Sequence, residues 1–126
     1  MTTATSIPDL YARVKAACPE ACPPQVSVVG GIFQLAIECT DVGHCASWSW
    51  ATDATMPVVE SLILAACVRW LADNGRFPEF HKEDESGMYE CRVYCQEHLE
   101  HNTEHKSVAI AALLAVEAVC KERSHD

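Results

Sequence analysis

The chain has 126 residues, 49% hydrophobic and 21% charged, which is one domain's worth of ordinary globular composition and excludes wholesale disorder. Its 18 acidic residues against nine basic ones leave a net charge of -9. That argues against a nucleic-acid partner, because phosphate binding needs clustered Lys and Arg to displace counterions. No apolar run approaches the ~18 residues of a membrane span, Val108 to Val116 being the longest, so no membrane partner is expected.

Residues Ser6 to Cys18 read as a helix, with Ile7, Leu10, Tyr11, Val14 and Cys18 forming one apolar stripe. Ser6 and Asp9 fit a capping-box pattern, and Pro8 is tolerated in the first turn. Pro19 to Pro24 cannot continue that helix and reads as a stiff connector. Val26 and Val28 then alternate up to Gly30-Gly31, and Phe33, Leu35 and Ile37 alternate beyond it, which predicts a two-residue hairpin. Pairing across the glycines sets Val28 opposite Phe33 and Val26 opposite Leu35. A second turn, Asp41 to His44, leads to a strand from Cys45 to Thr52. A four-residue loop there sets Ile37 opposite Trp48 and Leu35 opposite Trp50, so both tryptophans join the buried face.

Asp53 and Thr55 precede Met56-Pro57, a cap and early-turn proline, and a helix runs to about Asp73 with Val59, Leu62, Ile63, Ala66 and Trp70 on its stripe. Gly75 is placed as its left-handed stop. Arg76 to Gly87 is polar and reads as a mobile surface loop. Met88 to Cys95 reads as a fourth strand, with Tyr89, Cys91, Val93 and Cys95 on one side. His105 to Glu122 is the last helix, apolar on nearly all sides, with Glu117 as its lone interior charge and Lys121 and Arg123 at its carboxyl end. Such a helix is expected to pack against both a sheet and another helix. Residues 1–126 therefore read as a single α+β domain in the order α-β-β-β-α-β-α, with an antiparallel sheet of about four strands and three helices.

Two segments carry a family resemblance. Trp50-Ala-Thr-Asp-Ala-Thr-Met-Pro-Val-Val-Glu60 and Ser107-Val-Ala-Ile-Ala-Ala-Leu-Leu-Ala-Val-Glu117 resemble the phage ABA-sandwich domain proteins, small chains of phages and prophages. The first is similar to that family's entry into a helix through Val-Val-Glu, the second to its closing Ala-Ile-x-x-Ala-Ala-Leu segment. Together they span Trp48 to Val119, about half the chain. The cysteine and histidine content and the acidic segment Lys82 to Ser86 depart from the pattern. The resemblance implies a phage-borne α+β sandwich with no established activity and no catalytic residues to carry over.

Eight cysteines are about 6% of the chain, below the ~8–10% of a small disulfide scaffold. The first nine residues have neither a basic start nor an apolar core, so no export signal is read. A cytoplasmic location in a bacterial host and free thiols, mostly small buried apolar residues, are expected. Cys18-x3-Cys22 places two thiols at a helix end, with no second pair to complete a metal site. Cys39 and Cys45 fall on opposite faces in the register above, which argues against a disulfide between them. Cys91, Cys95, His98, His101 and His105 are metal ligands by type. On a strand, however, Cys91 and Cys95 lie ~13 Å apart, and the solvated lead-in to a helix is the better reading of 96–104. No metal or other cofactor is favoured, with His98, His101 and His105 the weak candidates.

Catalysis finds little support. His44 beside Cys45 is poorly aimed to activate the thiol, the serines carry no nucleophile elbow, and no phosphate-cradling glycine loop exists. Trp48, Trp50 and Trp70 are spaced as buried faces, so core is expected rather than a stacking site. The reading is of a non-enzymatic accessory protein that binds a host or phage protein, as an inhibitor or modulator of a host defence protein. Its acidic segment, Glu83, Asp84 and Glu85 with Glu79, would meet a basic groove. The competing readings are a zinc- or thiol-dependent protein and a virion assembly component.

Overall fold

A computed structural model describes residues 6–39 and 45–124 as three helices and two three-stranded antiparallel sheets. The class is α+β as expected. The single sheet of about four strands is not found: its strands are divided between two meanders, each followed by a long helix.

Helix α1, Ile7–Ala17, begins where Ser6 Oγ accepts the Asp9 N–H at 3.2 Å, satisfying one of the amides that a helix start leaves without a partner. Its inward stripe buries Leu10, Tyr11 and Val14. Pro19–Ala21 forms a single 3-10 turn, after which the first sheet is built from β1, Val26–Val29, β2, Ile32–Cys39, and β3, Cys45–Trp50. Gly30 and Gly31 both adopt positive φ, 61° and 77°, which suits the twist of a two-residue hairpin and is open to glycine without steric cost. The register follows, with Val26 opposite Leu35 and Val28 opposite Phe33. Tyr11 ties helix to sheet. Its buried hydroxyl donates to the Val26 carbonyl at 2.9 Å and lies 3.2 Å from that of Pro23, while its ring meets Phe33 edge to face at 5.6 Å.

The second pairing differs from expectation by one residue. Trp48 lies opposite Ala36 and Trp50 opposite Gln34, so both tryptophans stand on the open face and are exposed. The last paired residues are Cys39 and Cys45, which enclose five residues rather than four, and an odd count reverses which residues share a face. The ladder is irregular around Glu38. Cys39 and Cys45 are therefore partners in the backbone register, where the expected pairing set them one residue out of step. The expected turn Asp41 to His44, and with it the His44–Cys45 pair, lies outside the described residues.

Helix α2, Met56–Asp73, buries Val59, Ile63, Cys67, Trp70 and Leu71 and stops before Gly75, which has φ 74°. Trp70 alone of the three tryptophans is in the core. Two expected loops are strands. Arg76–Lys82 is β4, an edge strand on which Pro78 is tolerated because one row of edge amides has no partner to lose. His98–His105 is β6 rather than a helix lead-in, joined to β5, Tyr89–Cys95, by a turn in which Gln96 takes φ 59°. Only the short stretch 83–88 remains a loop, closed by Glu83 N–H to Met88 O at 2.8 Å and Gly87 N–H to Glu83 O at 2.9 Å.

Helix α3, Val108–Ser124, lies against α1, α2, β5 and β6 and buries Ile110, Leu113, Val116 and Val119 with four of its alanines. Glu117 is paired in a two-pronged contact, Arg13 Nε to Oε2 at 2.6 Å and Nη2 to Oε1 at 3.0 Å, which locks α1 to α3. Replacing Tyr11 by Phe keeps the ring and removes its donor. Urea unfolding of the variant is expected to show a loss of about 1 kcal/mol with an unchanged circular dichroism spectrum.

Candidate functional site

The strand alternation of the second sheet decides which side chains reach solvent. On β5, Cys91 and Val93 point inward to α3 and are fully buried, so Glu90, Arg92 and Tyr94 point outward. Cross-strand pairing extends this outer face in rows. Phe77, Tyr94 and Leu99 form one row across three strands, Glu79, Arg92 and Asn102 the next, and His81, Glu90 and Glu104 the third. A bulge between Val93 and Tyr94 shifts β6 by one residue, which is what brings Leu99 outward to complete the apolar row. Phe77 is 63% exposed and Leu99 51%. An aromatic–aliphatic row standing in water at the centre of a sheet end is unusual, and it adjoins charge.

Arg92 lies between two carboxylates, paired with Glu90 and 3.9 Å from Glu79, while His81 contacts Glu79. Beyond the third row the β4–β5 turn holds Glu83, Asp84 and Glu85. The four acids read from the sequence are thus divided. Glu79 belongs to the ion-pair row of the sheet face, and the other three form its acidic end. The face grades from apolar to acidic over roughly 20 Å, the six residue steps from Phe77 to Glu83 at ~3.3 Å each. The apolar row was not read from the sequence because Phe77, Tyr94 and Leu99 are related by register, not by spacing.

The three candidate histidines share one strand. His98 and His105 stand at its two ends, roughly 23 Å apart at ~3.3 Å per residue, too far to share an ion. His101 Nε2 lies 2.9 Å from Glu122 of α3, and His105 Nδ1 accepts the Ser107 N–H at 2.9 Å. Both imidazoles therefore join β6 to α3. Among the described residues no three Cys, His, Asp or Glu side chains are gathered to hold a metal ion.

A cleft of about 490 Å³ opens where α3 begins, lined by Ile7, Glu60, Tyr89, His105, Lys106 and Ser107 among others. Ser107 Oγ donates to Glu60 Oε1 at 2.6 Å and accepts the Ile110 N–H at 3.4 Å, and a carboxylate at a helix start is favoured by the helix dipole. Glu60, Ser107 and His105 are thus joined by hydrogen bonds, which makes this end of the cleft a helix cap built across two elements. It also joins the two segments quoted for the family resemblance, Glu60 closing one and Ser107 opening the other.

Four buried thiols are held in their neutral form. Burial pushes Cys18 up to about 12 and Cys22 and Cys91 up to about 11, and it raises Cys67 further. A thiolate is the nucleophile and metal ligand, so these four are poor in both roles as folded. Comparison with protein-family models, with curated proteins and with solved structures gives no match for this chain.

Two outcomes follow from this chemistry. Ser107→Ala is expected to cost about 1 kcal/mol of stability, with Glu60→Gln costing less and the double variant less than the sum, by urea unfolding. The buried thiols keep their protons in the folded state, whereas the unfolded chain releases them near pH 9. From these groups, stability under reducing conditions is therefore expected to be flat below about pH 7.5 and to fall as pH rises from there towards 11, because the unfolded state then binds fewer protons. Thermal unfolding across that range checks the sign.

Proposed function

We propose that this chain is a non-catalytic, phage-type accessory protein that binds a host or phage protein through the outer face of β4–β5–β6. The observation that carries the reading is the outward row Phe77–Tyr94–Leu99, exposed at its two ends and half-buried at Tyr94, beside Arg92. Binding energy concentrates in aromatic and Arg side chains that a partner can desolvate, ringed by polar groups, and this face has that composition. Its acidic end and the net charge of -9 favour a partner with a basic rim around an apolar pocket. The phage-type assignment is supported by the two resembling segments, and modulation of a host protein is what such a chain would do with this face. The rows of β4, β5 and β6 replace the acidic turn as the centre of the site. The turn steers, and the aromatic row holds.

Tagged protein, its Phe77→Ser/Leu99→Ser variant and a Glu83→Lys/Asp84→Lys/Glu85→Lys variant, each incubated with bacterial lysate and quantified by mass spectrometry, test this. One near-stoichiometric partner is expected with the native chain and is lost with the first variant, whose melting temperature stays within a few degrees. The turn variant is expected to associate about tenfold more slowly and with weaker salt dependence. Equal recovery by the native chain and the Phe77/Leu99 variant would rule out this face.

A further inference from the structure

The first sheet has a different surface. Its open face is set by register: Val29 beside Ile32, Ser27 and Trp50 on either side of Gln34, and Trp48 beside Ala36. Val29 is 48% exposed, Ile32 52%, Trp48 38% and Trp50 51%. On β3 the other face is open as well, since Ser49 is exposed, so this strand overhangs the helices that cover β1. None of these seven residues is ionisable. In a chain of net charge -9 this is a neutral, aromatic plane.

We infer that a second copy of this chain occupies that plane, packed sheet to sheet across a twofold axis. Two observations select a copy over another kind of partner. The first is charge. Two molecules of -9 repel each other wherever their acids meet, and the described residues of this face let them approach without placing carboxylate against carboxylate. It also offers no charge with which to select a basic or acidic partner. The second is area. A whole tryptophan presents about 150–250 Å², so the four half-exposed side chains leave roughly 400 Å² of apolar surface in water. With the partly covered Ser27, Gln34 and Ala36 the plane reaches roughly 500 Å² per copy, or about 1,000 Å² for two, the size at which a specific interface begins. A patch of this size is also at the upper end of what a monomer leaves uncovered. An isologous contact uses the same patch twice, and two twisted sheets interdigitate at a separation of ~10 Å.

The inference is independent of the binding role assigned to the second sheet, and salt separates the two. Screening removes the repulsion between like-charged copies, so the dimer tightens as salt rises, whereas a partner drawn by the acidic turn is held less well. Sedimentation equilibrium of the full chain under reducing conditions, at low and high salt, is the test. The native chain is expected to dimerise with a Kd on the order of 10 µM, with blue-shifted tryptophan emission as it does so. Ile32→Lys is expected to weaken association at least a hundredfold while keeping the native circular dichroism. Gln34→Lys, which removes no apolar contact from the hairpin, should do the same if Ile32→Lys disturbs folding. Phe77→Ser should dimerise like the native chain. A native chain that stays monomeric up to about 500 µM at high salt, or a Gln34→Lys variant that dimerises unchanged, would overturn the assignment.

Discussion

A helix that is apolar all the way round must be enclosed on every side, and α3 imposes that requirement on the whole molecule. Alanine is what makes the enclosure possible, because its small side chain lets α2 on one side and β5 and β6 on another approach closely. The third side is closed by α1, more than ninety residues earlier in the chain, and this is where the one acid of the helix interior emerges. Glu117 is tolerated because Arg13 meets it with two parallel hydrogen bonds at the boundary, so no charge is left stranded against the core. The polar residues of β6 obey the same demand from the other side. Thr103 donates to the Ala111 carbonyl at 2.7 Å, and His101 and His105 bond to α3 or its lead-in. A strand with few apolar residues thereby serves as one wall of an apolar helix.

The parts of this fold that could be read from the sequence are those in which local pattern and tertiary environment agree. The first helix and the Gly30-Gly31 hairpin with its register have hydrophobic periods that match what they bury, α2 buries Val59, Ile63 and Trp70 of its expected stripe, and α3 is apolar on the several sides it buries. The third strand misled because register there depends on the length of a connection, and one residue reverses every side chain that follows. Both tryptophans have the size and spacing of core residues, and they stand in water for that reason alone. The strands β4 and β6 were obscured differently. Each carries polar residues on both faces, β4 because it is an edge and β6 because its inward groups are hydrogen-bonded, so neither shows an apolar period of two. Of the candidate binding face, the acids were legible as charge. The apolar row was not, since Phe77, Tyr94 and Leu99 become neighbours only through two ladders and a bulge.

The two sheets also divide the surface by chemistry. Each covers one side with inward residues and leaves the other side open, but the outer face of β4–β5–β6 mixes aromatic, cationic and anionic groups, whereas the described side chains on that of β1–β2–β3 are uncharged. Rows of opposite and like charge on a sheet face are expensive to match by accident, which gives the first kind of surface selectivity. A neutral plane discriminates little and relies on shape and area. A chain with one of each can recognise something unlike itself with one sheet while the other serves a different purpose.

The position of α3 in the chain has a consequence for synthesis. Each meander is made of consecutive strands and can form from local contacts as it leaves the ribosome, at ~5–20 residues per second. The first meander can close on α1 as soon as it is made, but the inner face of the second has nothing to close on until α3 follows it. Cys91, on that inner face, is inert once enclosed, yet it is open for the seconds before that. Its protection is thus a property of the finished molecule, and the nascent chain depends on the reducing power around it during the interval.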